Sequence, residues 1–158
     1  MRSMWGSIAM CVATMVACAA SAYGQSATEA AKPAFDAELA KQLTADERGM
    51  KKYVLVVLKI GPNKVPAGPE RDAMFKGHFA NMGRLAGEKK LALAGPFDGV
   101  DGWRGLFIFA VESIEEAQAL VATDPVIIKG EMVAEYHKFY GSAALMVVND
   151  VHQKVSKK

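Results

Sequence analysis

The sequence has two cysteines among its 158 residues, and both of them, Cys11 and Cys18, lie in the first 24 residues. If that stretch is removed, the remaining chain has no disulfide, no thiolate nucleophile and no cysteine-ligated metal. An excess of one charge is also lacking, since 19 basic residues stand against 17 acidic ones and the net charge is +2. Such a chain has no broad cationic face, so we expect no nucleic acid partner.

Residues 1–24 carry the pattern of a secretory signal peptide. Arg2 supplies a positive charge, an apolar run follows, and the small residues Ala20 and Ala22 precede two candidate cleavage points. A membrane anchor and lipid attachment at Cys18 are the alternatives, although small residues dominate the run and a spanning helix is usually more apolar. We therefore predict a periplasmic or secreted protein that leaves the membrane once the signal is removed.

The rest of the chain divides by composition into three segments. Residues 25–52 form a leader with a short helix over 35–43, residues 53–148 carry the periodic signals of one folded domain, and residues 149–158 form a polar tail. A hydrophobic content of 51% over this length suits a single core and excludes a disordered chain.

The hydrophobic periodicity of the domain predicts strand, helix, strand, strand, helix and strand in that order. The predicted elements are a strand at 53–60, a helix at 70–90, strands at 91–94 and 103–111, a helix from the capping box at Ser113 to Asp124-Pro125, and a strand at 131–140. The stretch 143–148 is a candidate for a further strand. The order βαββαβ is that of a ferredoxin-like α+β sandwich.

The predicted strands 53–60 and 103–111 are apolar on both faces. An antiparallel sheet that touches water on one side normally alternates apolar and polar residues, so the second face must be covered. The same sheet of a second subunit would cover it, which predicts a homodimer. The alternative is that residues 35–43 and 141–148 of the same chain fold over that face.

The sequence has three histidines, and their contexts differ. His152 lies in the polar tail and is expected to be solvated, while His137 lies at an ordinary cross-strand position of a predicted strand. His78 lies on the apolar stripe of the first predicted helix, where Arg71 shares the edge of the stripe. The pattern alone favours a buried core histidine at this position, and a general base is the alternative.

Asp124 is the second candidate, because it lies at the predicted end of the second helix, where a negative charge meets the unfavourable end of the helix dipole. The structural explanation is that Asp-Pro commonly starts a turn. The functional explanation is a carboxylate that orients and charges a nearby imidazole, as in general-base pairs. The two helices are expected to pack side by side, so distance in sequence does not prevent contact with His78.

No other pattern in the sequence points to a bound group. Phosphate-binding glycine loops, zinc-protease motifs and EF-hand motifs do not occur, and His78 has no second histidine at metal-ligand spacing. We therefore expect no metal and no cofactor.

Residues 71–97 read RDAMFKGHFANMGRLAGEKKLALAGPF, with an Arg and a His on the predicted helix and Ala-Gly-Pro at the end of the next strand. The motifs GWRGLF at 102–107, SIEEAQAL at 113–120 and Asp124-Pro125 follow in order. Together they resemble the YCII-related (YciI-like) family, and the resemblance covers about residues 53–140.

The resemblance implies a ferredoxin-like fold that dimerises through its sheets, of the dimeric α+β barrel type, with a site built on a His–Asp pair. Matched residue by residue, that pair is His78 and Asp124. A relative in the family removes chloride from a chlorinated hydroxyquinol, and similar dimeric folds include lactone isomerases that act on small rings. The export signal and the leader helix depart from the typical member and argue against a cytoplasmic catabolic role.

We therefore expect a small periplasmic enzyme of lyase or isomerase type, acting without a cofactor on a small cyclic or aromatic substrate. His78 is the predicted general base, Asp124 orients and charges it, and Arg71 holds an anionic oxygen. The predicted walls of the substrate pocket are Gly95, Pro96, Phe97 and Trp103. The alternative is a non-catalytic periplasmic dimer that binds a small ligand or a protein partner in the same cleft.

Overall fold

The computed structural model describes residues 33–157. The predicted signal peptide at 1–24, and with it the alternative of lipid attachment at Cys18, lies outside the described residues. Within the described range, no helix combines the length and the apolar character needed to cross a bilayer.

The described chain forms four strands and five α-helices, with two short 3-10 helices at Val100–Gly102 and Ala143–Val147. In chain order the elements are α1 Ala37–Gln42, β1 Met50–Ile60, α2 Pro69–Gly87, β2 Leu91–Pro96, β3 Trp103–Phe109, α3 Ile114–Val121, α4 Pro125–Ile128, β4 Met132–Ser142 and α5 Val148–Val155.

The four strands form one antiparallel sheet in the order β2-β3-β1-β4. The central strand β1 pairs with β3 on one side and β4 on the other, so that Val56 lies opposite both Phe107 and Tyr136. This order and the βαββαβ connectivity confirm the predicted ferredoxin-like α+β class. The strand β1 begins at Met50, earlier than the predicted Tyr53, because pairing with β4 extends as far as Ser142.

The main core lies between one face of the sheet and helices α2 and α3. Alternate residues of the central strands point into it, and the helices contribute apolar residues at helical spacing, which is the expected result of periods of two and of 3.6 residues. Its buried members include Val54, Val56, Phe107, Phe109, Met74, Leu85, Ala117 and Val121. Each fully buried Val, Leu, Phe or Met side chain contributes roughly 1.5–3 kcal/mol relative to exposure.

The second face of the sheet is partly covered by the chain's own C-terminal segment. Tyr53, Ala92 and Ile108 form a smaller core against which Leu145 and Met146 pack. The candidate strand at 143–148 is therefore wrong, since the segment forms a 3-10 helix that Ser142 caps by accepting a hydrogen bond from the backbone of Ala144 at 3.2 Å. Coverage by the same chain, the alternative to a partner sheet, is observed at this part of the face, and the homodimer stays a prediction.

The expected polar tail at 149–158 contains the helix α5, which lies against the edge strand β2. The side-chain amide of Asn149 donates hydrogen bonds to the carbonyl oxygens of Leu91 at 2.7 Å and Ala92 at 3.3 Å. Lys89 and Asp150 form an ion pair at 2.7 Å on the same side. These contacts fix α5 beside the sheet.

Candidate functional site

A histidine and an aspartate that lie 46 residues apart in the chain meet between α2 and α4. The Nδ1 atom of His78 lies 2.9 Å from Oδ1 and 2.8 Å from Oδ2 of Asp124. Both residues are buried, with exposed fractions of 7% for His78 and 1% for Asp124. The structure therefore brings together the two residues that the sequence analysis singled out.

The carboxylate of Asp124 is held in place by the backbone that follows it. Asp124 is the N-cap of α4, and its Oδ1 accepts a hydrogen bond from the backbone N–H of Val126 at 3.1 Å. The predicted position at the end of the second helix is wrong, because α3 ends at Val121 and Asp124 starts a separate short helix. The unfavourable dipole contact expected there does not arise, since an aspartate is among the preferred N-cap residues.

A glycine lets the two helices approach closely enough for this contact. A Cβ atom placed on Gly77 would lie 2.9 Å from Cγ of Pro125, closer than real Cβ contacts allow. Gly77 precedes His78 and Pro125 follows Asp124, so the close approach lies directly beside the His–Asp contact. Gly77 is thus a positioning residue for the pair.

The imidazole of His78 also forms part of the wall of a cleft of about 230 Å³. Among residues 33–157, Nδ1 of His78 is paired with Asp124 and no hydrogen bond reaches Nε2. Every fully buried side-chain nitrogen in this range has a hydrogen-bond partner. Since Nε2 has none, it is not fully buried and is accessible. The cleft is lined by Leu58, Phe75, His78, Phe79, Met82, Gly95, Pro96, Arg104, Gly105, Leu106, Phe107 and Met132.

Three phenyl rings surround the imidazole. The ring centroid of His78 lies 6.1 Å from that of Phe75, 5.3 Å from that of Phe79 and 6.1 Å from that of Phe107. With both His78 and Asp124 buried, these apolar surroundings lower the local dielectric constant and strengthen the electrostatic interaction between them.

Arg71 does not line the cleft and instead forms an ion pair with a buried glutamate. Its Nη1 lies 2.6 Å from Oε1 of Glu131 and donates to the carbonyl oxygen of Val65 at 2.8 Å. The guanidinium also lies 4.9 Å above the ring centroid of Phe75. Since its charge is already paired, the predicted role of Arg71 as a holder of an anionic oxygen does not fit its position.

Glu131 is a buried acid that the sequence analysis missed. Burial alone would raise the pKa of this carboxyl group, but the backbone N–H of Val65 donates to it at 2.7 Å and the Arg71 guanidinium lies against it. Together with the charge of Arg104, these contacts hold the pKa of Glu131 below its usual value.

Of the predicted pocket walls, Gly95 and Pro96 line the cleft, whereas Phe97 and Trp103 do not belong to its lining. Those two rings pack against each other instead, with centroids 5.4 Å apart. The cleft has Arg104 in its wall, at a point where the β1–β3 register skips a residue. A charged residue inside an otherwise apolar strand is the signal that could have pointed to it.

The remaining histidines lie away from the cleft. His137 is exposed and its Nε2 lies 2.8 Å from Oε1 of Glu135, while His152 is exposed on α5. Within residues 33–157, no three His, Cys, Asp or Glu side chains converge in a way that could ligate a metal ion.

The sheet order, the crossover helices and the buried His–Asp contact together define a small ferredoxin-like α+β protein with a buried polar pair between α2 and α4. Residues 50–139, more than half of the chain, match the YCII-related domain family. The chain belongs to this family, as its motifs predicted.

One curated relative comes from Bacillus subtilis (strain 168) and is named "Uncharacterized protein YjpA". It is 35% identical to this chain over 54 residues, which make up 34% of this chain and 61% of that protein. The match thus spans less than two thirds of the relative. Its name assigns it no activity, so this comparison supports the family and not a reaction.

Proposed function

We propose that the protein is a cofactor-independent enzyme of lyase or isomerase type, in which His78 is the general base for a small cyclic or aromatic substrate. The observation that carries the proposal is the contact of Nδ1 with both oxygens of the buried Asp124, at 2.9 and 2.8 Å, beside an accessible Nε2. One ring nitrogen is thereby oriented and the other is left for the substrate.

The contact determines which nitrogen carries the proton. A carboxylate accepts hydrogen bonds and does not donate them, so Nδ1–H donates to Asp124 and Nε2 keeps its lone pair towards the cleft. When Nε2 takes a proton from the substrate, the carboxylate stabilises the imidazolium that forms. In an elimination the leaving group then departs with its electron pair, and in an isomerisation the proton returns to a different atom of the substrate.

The size and lining of the cleft support a single-ring substrate. Its volume of about 230 Å³ is below the common range for drug-sized ligands, roughly 300–1,000 Å³. Phenyl rings of Phe75, Phe79 and Phe107 supply flat apolar surfaces around the histidine. Arg104, instead of Arg71, is the cation placed to stabilise an anionic oxygen.

The test is proton abstraction itself. The full chain is incubated in D₂O with a panel of chlorinated hydroxyquinols and small lactones, and mass spectrometry follows deuterium uptake and chloride release. His78→Gln is expected to lower the rate by about 10²–10⁴, the usual contribution of a general base. His137→Gln is the matched control, because His137 also contacts a carboxylate but is exposed.

A rate that is the same in wild type and in His78→Gln would contradict the assignment of the base. Binding of panel compounds without any turnover would favour the alternative of a non-catalytic ligand-binding protein. Loss of rate in both histidine variants would indicate a general effect of mutation on the protein, and the assignment of His78 as the base would lose its support.

A homodimer is part of the same proposal. Lys59 of β1 pairs with Trp103 and Val133 in the neighbouring strands, so these two residues lie on one face of the sheet, and they are 41% and 44% exposed. These apolar side chains are exposed on either side of Lys59, whose charge is paired with Glu135, and they favour a partner sheet on this face. Light scattering is expected to give twice the mass of one chain, and a monomer would contradict the dimer.

Export to the periplasm rests on the amino-terminal sequence alone, through Arg2, the apolar run and the small residues Ala20 and Ala22. The intact mass of the protein from its native host is expected to lack about the first 24 residues. Recovery of the full-length chain would contradict export by this route.

A further inference from the structure

A second and larger cavity, of about 600 Å³, lies beside the His78 cleft. It is a groove between the second half of α2, the strand β2 and the helix α5. Phe79 and Met82 line both the groove and the cleft, so the two cavities meet at these side chains. The groove therefore adjoins the cleft across Phe79 and Met82.

The α2 wall of this groove contains a glycine that packing does not explain. A Cβ atom placed on Gly83 would meet nothing within 4 Å, whereas one on Gly77 would meet Pro125 at 2.9 Å. Glycine inside a helix is unfavourable relative to alanine, because it loses more backbone freedom on folding. The feature that the glycine preserves is open space along the groove, which alanine or a larger residue would reduce.

The side of the groove formed by α2 and β2 is apolar over a length of about 10 Å, the rise along α2 from Phe79 to Ala86. Met82, Ala86 and Leu93 provide its surface next to the cleft. Charged residues occur at the far rim, where Lys89 and Asp150 already neutralise each other at 2.7 Å. The groove thus offers apolar contact along α2 and β2, whereas its α5 wall is polar and includes His152 and Gln153.

We propose that the groove binds an unbranched apolar substituent, such as an alkyl chain, on a substrate whose ring lies at His78. The inference rests on the proposed function, because it takes the His78 cleft as the site of the ring. It adds the class of substrate: a ring that carries a flexible alkyl chain, in place of a bare ring. Burial of each methylene of that chain is the source of the added affinity.

The experiment is calorimetric titration of the full chain with phenols that carry straight chains, from methyl to hexyl, at the para position. Affinity is expected to rise about fourfold per added methylene while the chain fills the groove. In Gly83→Leu the new side chain occupies the open space, so the methyl compound is expected to bind as in wild type and most of the gain with chain length is lost. Ala73→Leu, which adds the same side chain to the exposed surface of α2, is the control and keeps the gain.

Each outcome decides one part of the proposal. Equal affinity for all chain lengths, with His78→Gln still weakening the methyl compound, would overturn the groove and leave the proposed function standing. A second outcome is that affinity rises with chain length and Gly83→Leu abolishes the rise, but His78→Gln leaves binding of the methyl compound unchanged. The ring would then not bind at His78, which would contradict the proposed function. Absence of binding by every compound would overturn both.

A second copy of the chain is the competing occupant of the groove. Light scattering of wild type and Gly83→Leu distinguishes a second chain from a small ligand. If another chain occupies the groove, filling it with the leucine side chain would change the mass of the assembly. A changed mass would overturn the proposal, and an unchanged mass supports a small ligand. Thermal unfolding by circular dichroism verifies that Gly83→Leu is folded, as the open space at this position predicts.

Discussion

Residues 69–78 and 79–87 belong to the same helix, α2, but they meet different surroundings. In the first half, Arg71 is paired with Glu131, His78 with Asp124, and Gly77 is in close contact with Pro125. In the second half, Gly83 faces open space and the neighbouring side chains line a groove. In the first half Arg71 and His78 each have a fixed carboxylate partner, and the second half is a surface that leaves room for a ligand.

This difference predicts where substitutions should lower the free energy of unfolding most. Truncating a partner in a matched buried pair leaves a polar group without compensation, which is among the most destabilising single changes. Filling space beside an open helix surface has no such cost. The two halves should therefore respond to mutation in opposite directions. Four changes measure this response as stability, and a fifth tests the orientation of the His78 imidazole.

Asp124→Ala is expected to have the largest effect, a loss of roughly 2–5 kcal/mol in the free energy of unfolding, because it leaves the buried Nδ1–H of His78 without an acceptor. The backbone N–H of Val126 loses its acceptor as well. Urea unfolding followed by circular dichroism measures the loss. A change below about 1 kcal/mol, the size of an ordinary neutral hydrogen bond, would contradict a matched buried pair.

Asp124→Asn tests the orientation of the imidazole without removing the side chain. In wild type, long-range ¹H–¹⁵N NMR of the His78 imidazole is expected to show the proton on Nδ1. The asparagine amide can donate to Nδ1 instead, which moves the ring proton to Nε2. An unchanged tautomer in this variant would mean that the carboxylate does not set it.

Glu131→Gln should be the next most costly change, at about 2 kcal/mol, because Arg71 loses its ion-pair partner but keeps some contact with solvent. The same variant changes the response to acid. The pKa of Glu131 is lower in the folded state than its usual value of 4.5, so its stabilisation is complete above that value and is lost as the pH falls towards the folded pKa. Urea unfolding at a series of pH values should show a steeper acid loss in wild type than in Glu131→Gln. Parallel curves would contradict the link.

Gly77→Ala is expected to destabilise the protein by roughly 1–2 kcal/mol, although alanine favours helices, because its Cβ would overlap Pro125 at 2.9 Å. The displacement of α4 should also move Asp124 away from His78, so the deuterium-uptake rate should fall with the stability. Stabilisation by this change would show that α2 and α4 are less tightly packed than the structure has them.

Gly83→Ala should have the smallest effect and the opposite sign, a gain of about 0.5–1 kcal/mol, since alanine favours the helix and its Cβ meets nothing within 4 Å. Thermal unfolding of the two glycine variants side by side gives the comparison directly. If both variants lose stability, the two halves of α2 are not different in packing.

The sequence predicted most of the sheet and one polar pair, for identifiable reasons. The alternating apolar residues of β1 and β3 are a local signal, and the structure places them as strands. His78 was found because it lies on an apolar helix stripe, and Asp124 because it was predicted at the unfavourable end of a helix dipole, a position that the structure does not bear out. The family motifs pointed to the same two positions.

The parts that were missed depend on contacts that leave no local pattern. Glu131 and Arg71 are 60 residues apart, and nothing in either sequence neighbourhood shows that they pair. The segment Ala143–Val147 is a short apolar run, which as a pattern fits a strand as well as a helix, and the capping by Ser142 decides it. The position of Arg104 depends on an irregularity in the β1–β3 register that periodicity does not reveal.

The amide of Asn149, which donates to the carbonyl oxygens of Leu91 and Ala92, has a consequence for aggregation. An edge strand with free backbone groups can recruit a strand from another molecule, and natural proteins block such edges by covering or charging them. The helix α5 occupies this role at β2, while the opposite edge strand β4 carries the charged or titratable side chains of Glu135, His137 and Lys138. The sheet is thus closed to edge-to-edge growth by a helix on one side and by charge on the other.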